Sequence, residues 1–133
     1  MRKSNYDKFP STPLEGNLIK GWDSIFQTLK EKLAGKGICV IECYQGVYIE
    51  ELEKHLPALE ADLVIKADNL YHAEEKIRTL TQRWVTDDRL FGRRASFTYQ
   101  DFLDEDKVKV ARNEMKVQTG LTLVYGHGAF DVA

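Results

Sequence analysis

Apolar residues recur at helical spacing near the start of the chain. Six of them fall at offsets of 0, 4, 7, 8, 11 and 15 residues, forming one stripe: Leu18, Trp22, Ile25, Phe26, Leu29 and Leu33. Gly35 and Gly37 follow, and glycine commonly ends a helix. The pattern therefore predicts an amphipathic helix over residues 18–33.

Three short apolar runs lack this helical period and are rich in β-branched residues. They are Ile38–Ile41, Leu63–Ala67 and Leu121–Tyr125. Runs of this kind are typical of strands in a parallel sheet, where helices cover both faces. We therefore predict three strands, and we expect Ile38–Ile41 to be buried on both faces.

Helical patterns separate the three strands. One covers Tyr48–Leu56 and is stopped by Pro57, and another covers Ala73–Val85. Thr98–Asp101 has the form of a capping box, and Asp104 is placed to cap a further helix that runs to about residue 117.

The alternation of strands and helices predicts an α/β three-layer sandwich with a mainly parallel sheet. We expect a single domain over residues 18–133, preceded by an irregular lead-in over residues 1–17 that Pro10, Pro13 and Gly16 punctuate. Ligands in such folds bind beyond the carboxyl ends of the strands, which here directs attention to residues 42–46.

Composition narrows the class of protein. The 133 residues are 43% hydrophobic and 30% charged, as in a globular domain. A formal net charge of -2 offers no cationic excess for phosphates, so we expect no nucleic-acid partner. The opening residues lead into no apolar segment, and no apolar run approaches the roughly 20 residues of a membrane helix, so we expect no membrane partner and a cytoplasmic location.

The two cysteines, Cys39 and Cys43, fall on or next to the first strand. Four residues of extended chain separate their Cα atoms by about 13 Å, too far for a disulfide. Two thiols alone cannot complete a zinc site, and the chain has no closely spaced pair of histidines. We predict two buried free thiols and no metal.

The turn after the first strand is the first candidate ligand site. A phosphate-binding loop needs several glycines, a lysine and a hydroxyl residue. Here Tyr44, Gln45 and Gly46 supply one glycine and neither of the other groups. The turn is thus interpreted as a degenerate phosphate loop, or as a βα turn that never bound a ligand.

Histidine and arginine residues supply the other candidates. His127 stands between two glycines at the end of the third strand, where it could contact a ligand or act as an acid or base, or simply occupy a terminal turn. Arg93 and Arg94 could bind an anion, or pair with Asp87 and Asp88 at the surface. No nucleophile with a nearby base can be named, so the catalytic residues are unknown.

Six short segments of the sequence together resemble a known group of proteins. They are Asn5–Pro10, Gly21–Asp23, Glu42–Val47, Phe91–Arg93, Asp101–Phe102 and Val124–Ala129. Together they resemble the amino-terminal region of a group of bacterial proteins related to class I mannose-6-phosphate isomerases. In the longer members of that group, a lead domain shaped like a uridine kinase or P-loop fold is joined to a cupin-type isomerase domain.

The resemblance implies a sugar-phosphate context and a kinase-like shape. The zinc site of that family belongs to the cupin part, which we expect this chain to lack, so the resemblance implies no cofactor and no catalytic residue here. It implies a non-catalytic lead domain that binds a sugar phosphate or nucleotide at the strand ends, or that docks on a cupin domain or a second copy. The competing hypotheses are an active small-molecule kinase or NTPase with a nonstandard loop, and a purely structural interaction module.

Overall fold

The computed structural model describes residues 9–13, 15–85, 87 and 92–133. Its helices and strands in chain order are α1 (Trp22–Leu33), β1 (Gly37–Glu42), α2 (Ile49–His55), β2 (Leu63–Lys66), α3 (Glu74–Thr81), α4 (Glu105–Val117), β3 (Leu121–Gly126) and α5 (Ala129–Val132). Single turns of 3₁₀ helix occupy Leu56–Leu59, Ala67–Leu70 and Tyr99–Phe102.

The described strands form one parallel sheet in the order β1-β3-β2. The crossover from β1 to β2 passes the position of β3, and the crossover from β2 to β3 returns in the opposite direction. Because such crossovers are right-handed, opposite directions place α2 and α4 on opposite faces of the sheet. The predicted parallel α/β fold is confirmed at this level.

The central strand β3 contributes to a hydrophobic core on each face. On one face, Leu121 and Leu123 cluster with Phe26 of α1 and Leu52 of α2. On the other face, Val124 clusters with the apolar residues of α4 and α5, which are Val108, Ala111, Met115, Ala129 and Val132. Every residue of β3 is buried, as the sequence predicts.

Strand β1 is not buried on both faces, so that expectation is wrong. Ile38 and Val40 are 49% and 37% exposed, whereas Cys39 on the opposite face is buried. The reason is the position of the strand: β1 lies at one edge of the sheet, and the core on the α4 side is built on β3 and β2. The helices therefore leave that face of β1 partly open.

Two helix boundaries differ from the prediction by about four residues, and those of α2 and the start of α3 differ by one. Helix α1 begins at Trp22 rather than Leu18, because Gly21 has φ of +84° and so cannot continue a right-handed helix. Helix α3 ends at Thr81 rather than near Val85. The Asp104 cap and the Thr98–Asp101 capping box are both confirmed.

Both cysteines are free and buried, as predicted. No described helix has the length and apolar character needed to cross a membrane. Among the residues behind the sequence predictions, Asn5–Lys8, Asp88 and Phe91 lie outside the described part of the chain.

Candidate functional site

The three strands end almost level with one another, and this forms a common carboxyl edge. Glu42 at the end of β1 is in register with Gly126 at the end of β3, and Lys66 at the end of β2 is in register with Tyr125. The Cys43 N–H continues the ladder by donating to the Gly126 carbonyl at 3.0 Å. The segments that follow the three strands therefore meet at this edge.

An aspartate–histidine pair lies at the carboxyl edge. The Nδ1 atom of His127 is 3.1 Å from Oδ1 of Asp68, and the two side chains are 24% and 30% exposed. With Nδ1 facing a carboxylate, the neutral imidazole carries its proton there, and Nε2 becomes the acceptor. Within the described part of the chain, Nε2 has no hydrogen-bond partner, so it is the atom available to a ligand.

Backbone contacts hold this pair in place. The Tyr71 hydroxyl donates to the His127 carbonyl at 2.9 Å. Gly126 has φ of +114°, and a Cβ atom at this position would collide with Oδ2 of Asp68. That oxygen is buried and has no hydrogen-bond partner among the described residues. A glycine is therefore required beside the aspartate.

Glu42 fills the space where an anion would otherwise be expected. Its two carboxylate oxygens accept hydrogen bonds from the backbone N–H groups of Gly128 and Phe130, both at 2.8 Å. Backbone amides at such turns are common phosphate-binding groups. Here the protein's own carboxylate occupies them, so these two amides are not available to a phosphate.

The β1–α2 turn is a single four-residue turn. Val47 N–H donates to the Tyr44 carbonyl at 3.1 Å, and Gly46 has φ of +94°, as the third position of a type II turn requires. Tyr44 and Gln45 are exposed on this turn. It follows β1 directly and so belongs to the carboxyl edge, as predicted.

The two candidate arginines lie elsewhere. Both are exposed in the irregular segment between α3 and α4, where the Arg93 N–H donates to the Trp84 carbonyl at 2.9 Å. Among the described residues, no hydrogen bond or ion pair joins either guanidinium to the edge segments. The fold thus brings Tyr44, Gln45, Gly46 and His127 to one edge, but does not bring Arg93 and Arg94 into contact with them.

The charge of the edge is predominantly negative. Burial raises the pKa of Tyr71 to about 12, and the negative charges of Asp68, Glu42 and Asp131 add to the effect. The one lysine at the strand ends, Lys66, is committed to an ion pair with Glu53 at 2.7 Å. A neutral or cationic group is therefore a better fit to the edge than an anion.

The thiol at the carboxyl edge, Cys43, is not activated as a nucleophile. The Cys43 thiol contacts the Ile41 carbonyl at 3.7 Å, and burial raises its pKa, with further increases from Asp68 and Glu42. It therefore stays protonated at neutral pH. The described residues also contain no cluster of three or more histidine, cysteine, aspartate or glutamate side chains that could hold a metal ion.

Sequence reasoning did not select Asp68, and it included Glu42 in the strand-end segment 42–46 without choosing it as a candidate site residue. Both follow the same rule that selected Tyr44 and His127, since each stands at or just after the carboxyl end of a strand. The available signal was a carboxylate within two residues of a strand end.

Fold and edge together define a small mixed α/β domain with a parallel sheet and an acid–histidine pair at its carboxyl edge. The chain belongs to the family described as Domain of unknown function (DUF8485), whose model matches residues 21–133. No curated protein and no solved structure matches the chain.

Proposed function

We propose that this chain is a non-catalytic binding domain that takes a sugar phosphate or nucleotide at the carboxyl edge of its sheet. The observation that carries the proposal is the partly exposed Asp68–His127 pair, in which Nε2 of His127 is left for a ligand hydroxyl. The resemblance to the P-loop-like lead domain of mannose-6-phosphate isomerase-related proteins supports the choice of ligand class.

The charge at the edge determines which part of the ligand binds there. Glu42 already occupies the Gly128 and Phe130 amides, and Asp68 adds a second carboxylate. We therefore place the sugar hydroxyls, not the phosphate, against His127. The phosphate would point outward, where Gln45 is exposed.

The test is a thermal-shift screen with mannose 6-phosphate, fructose 6-phosphate, mannose, inorganic phosphate, and ATP and UTP with magnesium. A ligand at 100 times its Kd stabilises the folded state by roughly 2.7 kcal/mol, which is a readily measured shift. We expect a shift with at least one sugar-containing ligand, and we expect the His127→Gln variant to lose it.

The chain supplies a matched control for that variant. His72 also pairs with an aspartate, with Nδ1 3.3 Å from Oδ2 of Asp104, but this pair lies at the start of α4 and not at the strand ends. The His72→Gln variant should keep the ligand shift. A shift with inorganic phosphate alone, or no shift with any compound, would contradict the proposal.

The kinase or NTPase hypothesis has its own readout. Magnesium-dependent release of phosphate from ATP that is lost on changing Gln45 or Arg93 to alanine would support it in place of a binding domain. Binding without turnover is the result that our proposal expects.

A further inference from the structure

Strand β1 forms one edge of the described sheet, and no described strand lies on its outer side. Within the described part of the chain, β1 pairs with β3 only. The N–H groups of Gly37 and Cys43 donate to the β3 side. Because alternate residues of a strand direct their backbone groups to opposite sides, the N–H and C=O groups of Ile38 and Val40 lie on the open edge. Unpaired groups of this kind are a template for another strand.

The residue types at the outer edge of β1 are typical of an interior strand. Ile38 and Val40 are β-branched and apolar, yet both are exposed on the face that α4 leaves open. Phe130 of α5 is 78% exposed as well, and its N–H donates to the carboxylate of Glu42 at the end of the same strand. An open edge and an exposed apolar group thus coincide at one place.

No protective feature blocks the edge. Residues 37–41 contain no charge and no proline, which are the usual means of preventing strand addition. The one charged residue of the strand, Glu42, has both carboxylate oxygens bound to backbone amides of its own chain. The opposite edge of the sheet differs, since β2 has only four residues and ends in Lys66.

We propose that two copies of this chain associate through β1, pairing their β1 strands antiparallel across a two-fold axis. This arrangement places Ile38 of each copy opposite Val40 of the other, with no like charges opposed. The two three-stranded sheets then form one sheet of six strands. Association stops at two copies, because both β1 edges are paired and a β2 strand lies at each outer edge. A stable interface buries at least about 1,000 Å² in total, so Phe130 must contribute together with the strand.

The experiment measures mass and hydrogen exchange of the full chain. Sedimentation velocity and light scattering over roughly 1 to 200 μM should show a concentration-dependent change from one chain to two. In hydrogen exchange by NMR, the amides of Ile38 and Val40 should become protected as the concentration rises. The amides of Cys39 and Ile41 serve as internal controls, because they already face β3.

Two lysine variants separate the two edges. Val40→Lys places a positive charge of each copy opposite the apolar Ile38 of the other and should raise the dimer Kd by about tenfold or more. Val64→Lys makes the same change at a 52% exposed valine of β2 and should leave the Kd unchanged. Circular dichroism checks that both variants fold.

Three results would overturn the proposal. They are a monomer at every concentration, a dimer that Val40→Lys does not weaken, and open-ended growth that both variants weaken. None of them bears on ligand binding at the carboxyl edge, so this proposal and the proposed function fail separately. If Val40→Lys does not fold, the hydrogen-exchange comparison on the natural chain still decides.

Discussion

At the scale of single residues, Glu42 and Gly126 determine the shape of the carboxyl edge. Glu42 ties the end of β1 to the start of α5 through two hydrogen bonds to backbone N–H groups. Gly126 has no side chain, and this allows the Asp68 carboxylate to lie directly against the end of β3. The position of His127 relative to Asp68 depends on both.

Changing Gly126 to alanine tests this packing. We expect the free energy of unfolding to fall by about 3 kcal/mol, because φ of +114° strains any other residue and the new Cβ collides with Asp68. The measurement is urea unfolding followed by circular dichroism.

Gly37→Ala is the matched control for that change. Gly37 has φ of +92°, but nothing lies within 4 Å of a Cβ atom built there. We expect a loss of about 1 kcal/mol from backbone strain alone. Equal losses for the two variants would show that Asp68 moves aside without cost and that the collision has no importance.

At the scale of elements, the start of α4 is set by one side chain. Asp104 accepts hydrogen bonds from the N–H groups of Asp106 and Lys107 at 3.1 and 3.3 Å. These groups would otherwise be unpaired at a helix start. The Lys107 N–H in particular, with His72 and the Asp106 N–H also contributing, lowers the pKa of the Asp104 carboxyl below its usual value of 3.8.

Removing this cap should lower stability in a pH-dependent way. A carboxyl whose pKa is lowered by folding stabilises the protein above its unfolded pKa, and that contribution is lost as the pH falls through the folded pKa. We therefore expect Asp104→Ala to lower the urea midpoint at pH 7 and to have a smaller effect near pH 3.

Two variants complete the test of the cap. Asp104→Asn should keep most of the stability at pH 7, because its amide oxygen still accepts the hydrogen bonds, and it should lose the acid dependence of that site. Asp106→Ala removes a different carboxylate from the same helix turn. Among the described residues this carboxylate accepts no hydrogen bond from a backbone N–H group, so the variant should change the urea midpoint little. A pH-independent effect of Asp104→Ala would contradict this account.

At the scale of the whole molecule, both hydrophobic cores depend on β3. Leu121 and Leu123 face α1 and α2, whereas Val124 faces α4 and α5. Because one central strand belongs to both cores, loss of one core should disrupt the other. The described part of the chain is therefore expected to unfold in one cooperative transition.

The Leu123→Ala variant tests that coupling. Leu123 is fully buried, so its truncation should destabilise the fold by about 3 kcal/mol. Single-tryptophan versions that retain Trp22 or Trp84 report on α1 and on the segment after α3. We expect the two fluorescence midpoints to coincide in urea, before and after the truncation.

Val64→Ala is the control at an exposed strand position, where we expect a change within about 0.5 kcal/mol. Separate midpoints for the two tryptophans in the Leu123→Ala variant would show that α1 and the segment after α3 unfold independently.

Local signals in the sequence were sufficient for the three strands, the caps and the approximate positions of α1 to α4, but they did not predict α5. The β-branched runs predicted the three strands, and the buried β3 and the Asp104 cap agree with the structure. Part of the candidate site was also predictable, because the carboxyl-edge rule selected Tyr44, Gln45, Gly46 and His127 from strand ends alone. These features depend on neighbouring residues, so one sequence is enough to find them.

Other features required the tertiary structure. The order β1-β3-β2 places β1 at an edge, which exposes Ile38 and Val40, although their sequence pattern matches that of an interior strand. The pairing of Asp68 with His127 joins residues 59 positions apart, and that of Glu42 with Gly128 joins residues 86 apart. Hydrophobic periodicity identifies the residues that are apolar enough to be buried, but the order of the strands determines which of them are covered by another element. The elements of this protein are therefore determined by its local sequence, and its carboxyl edge and open β1 edge by the way those elements pack.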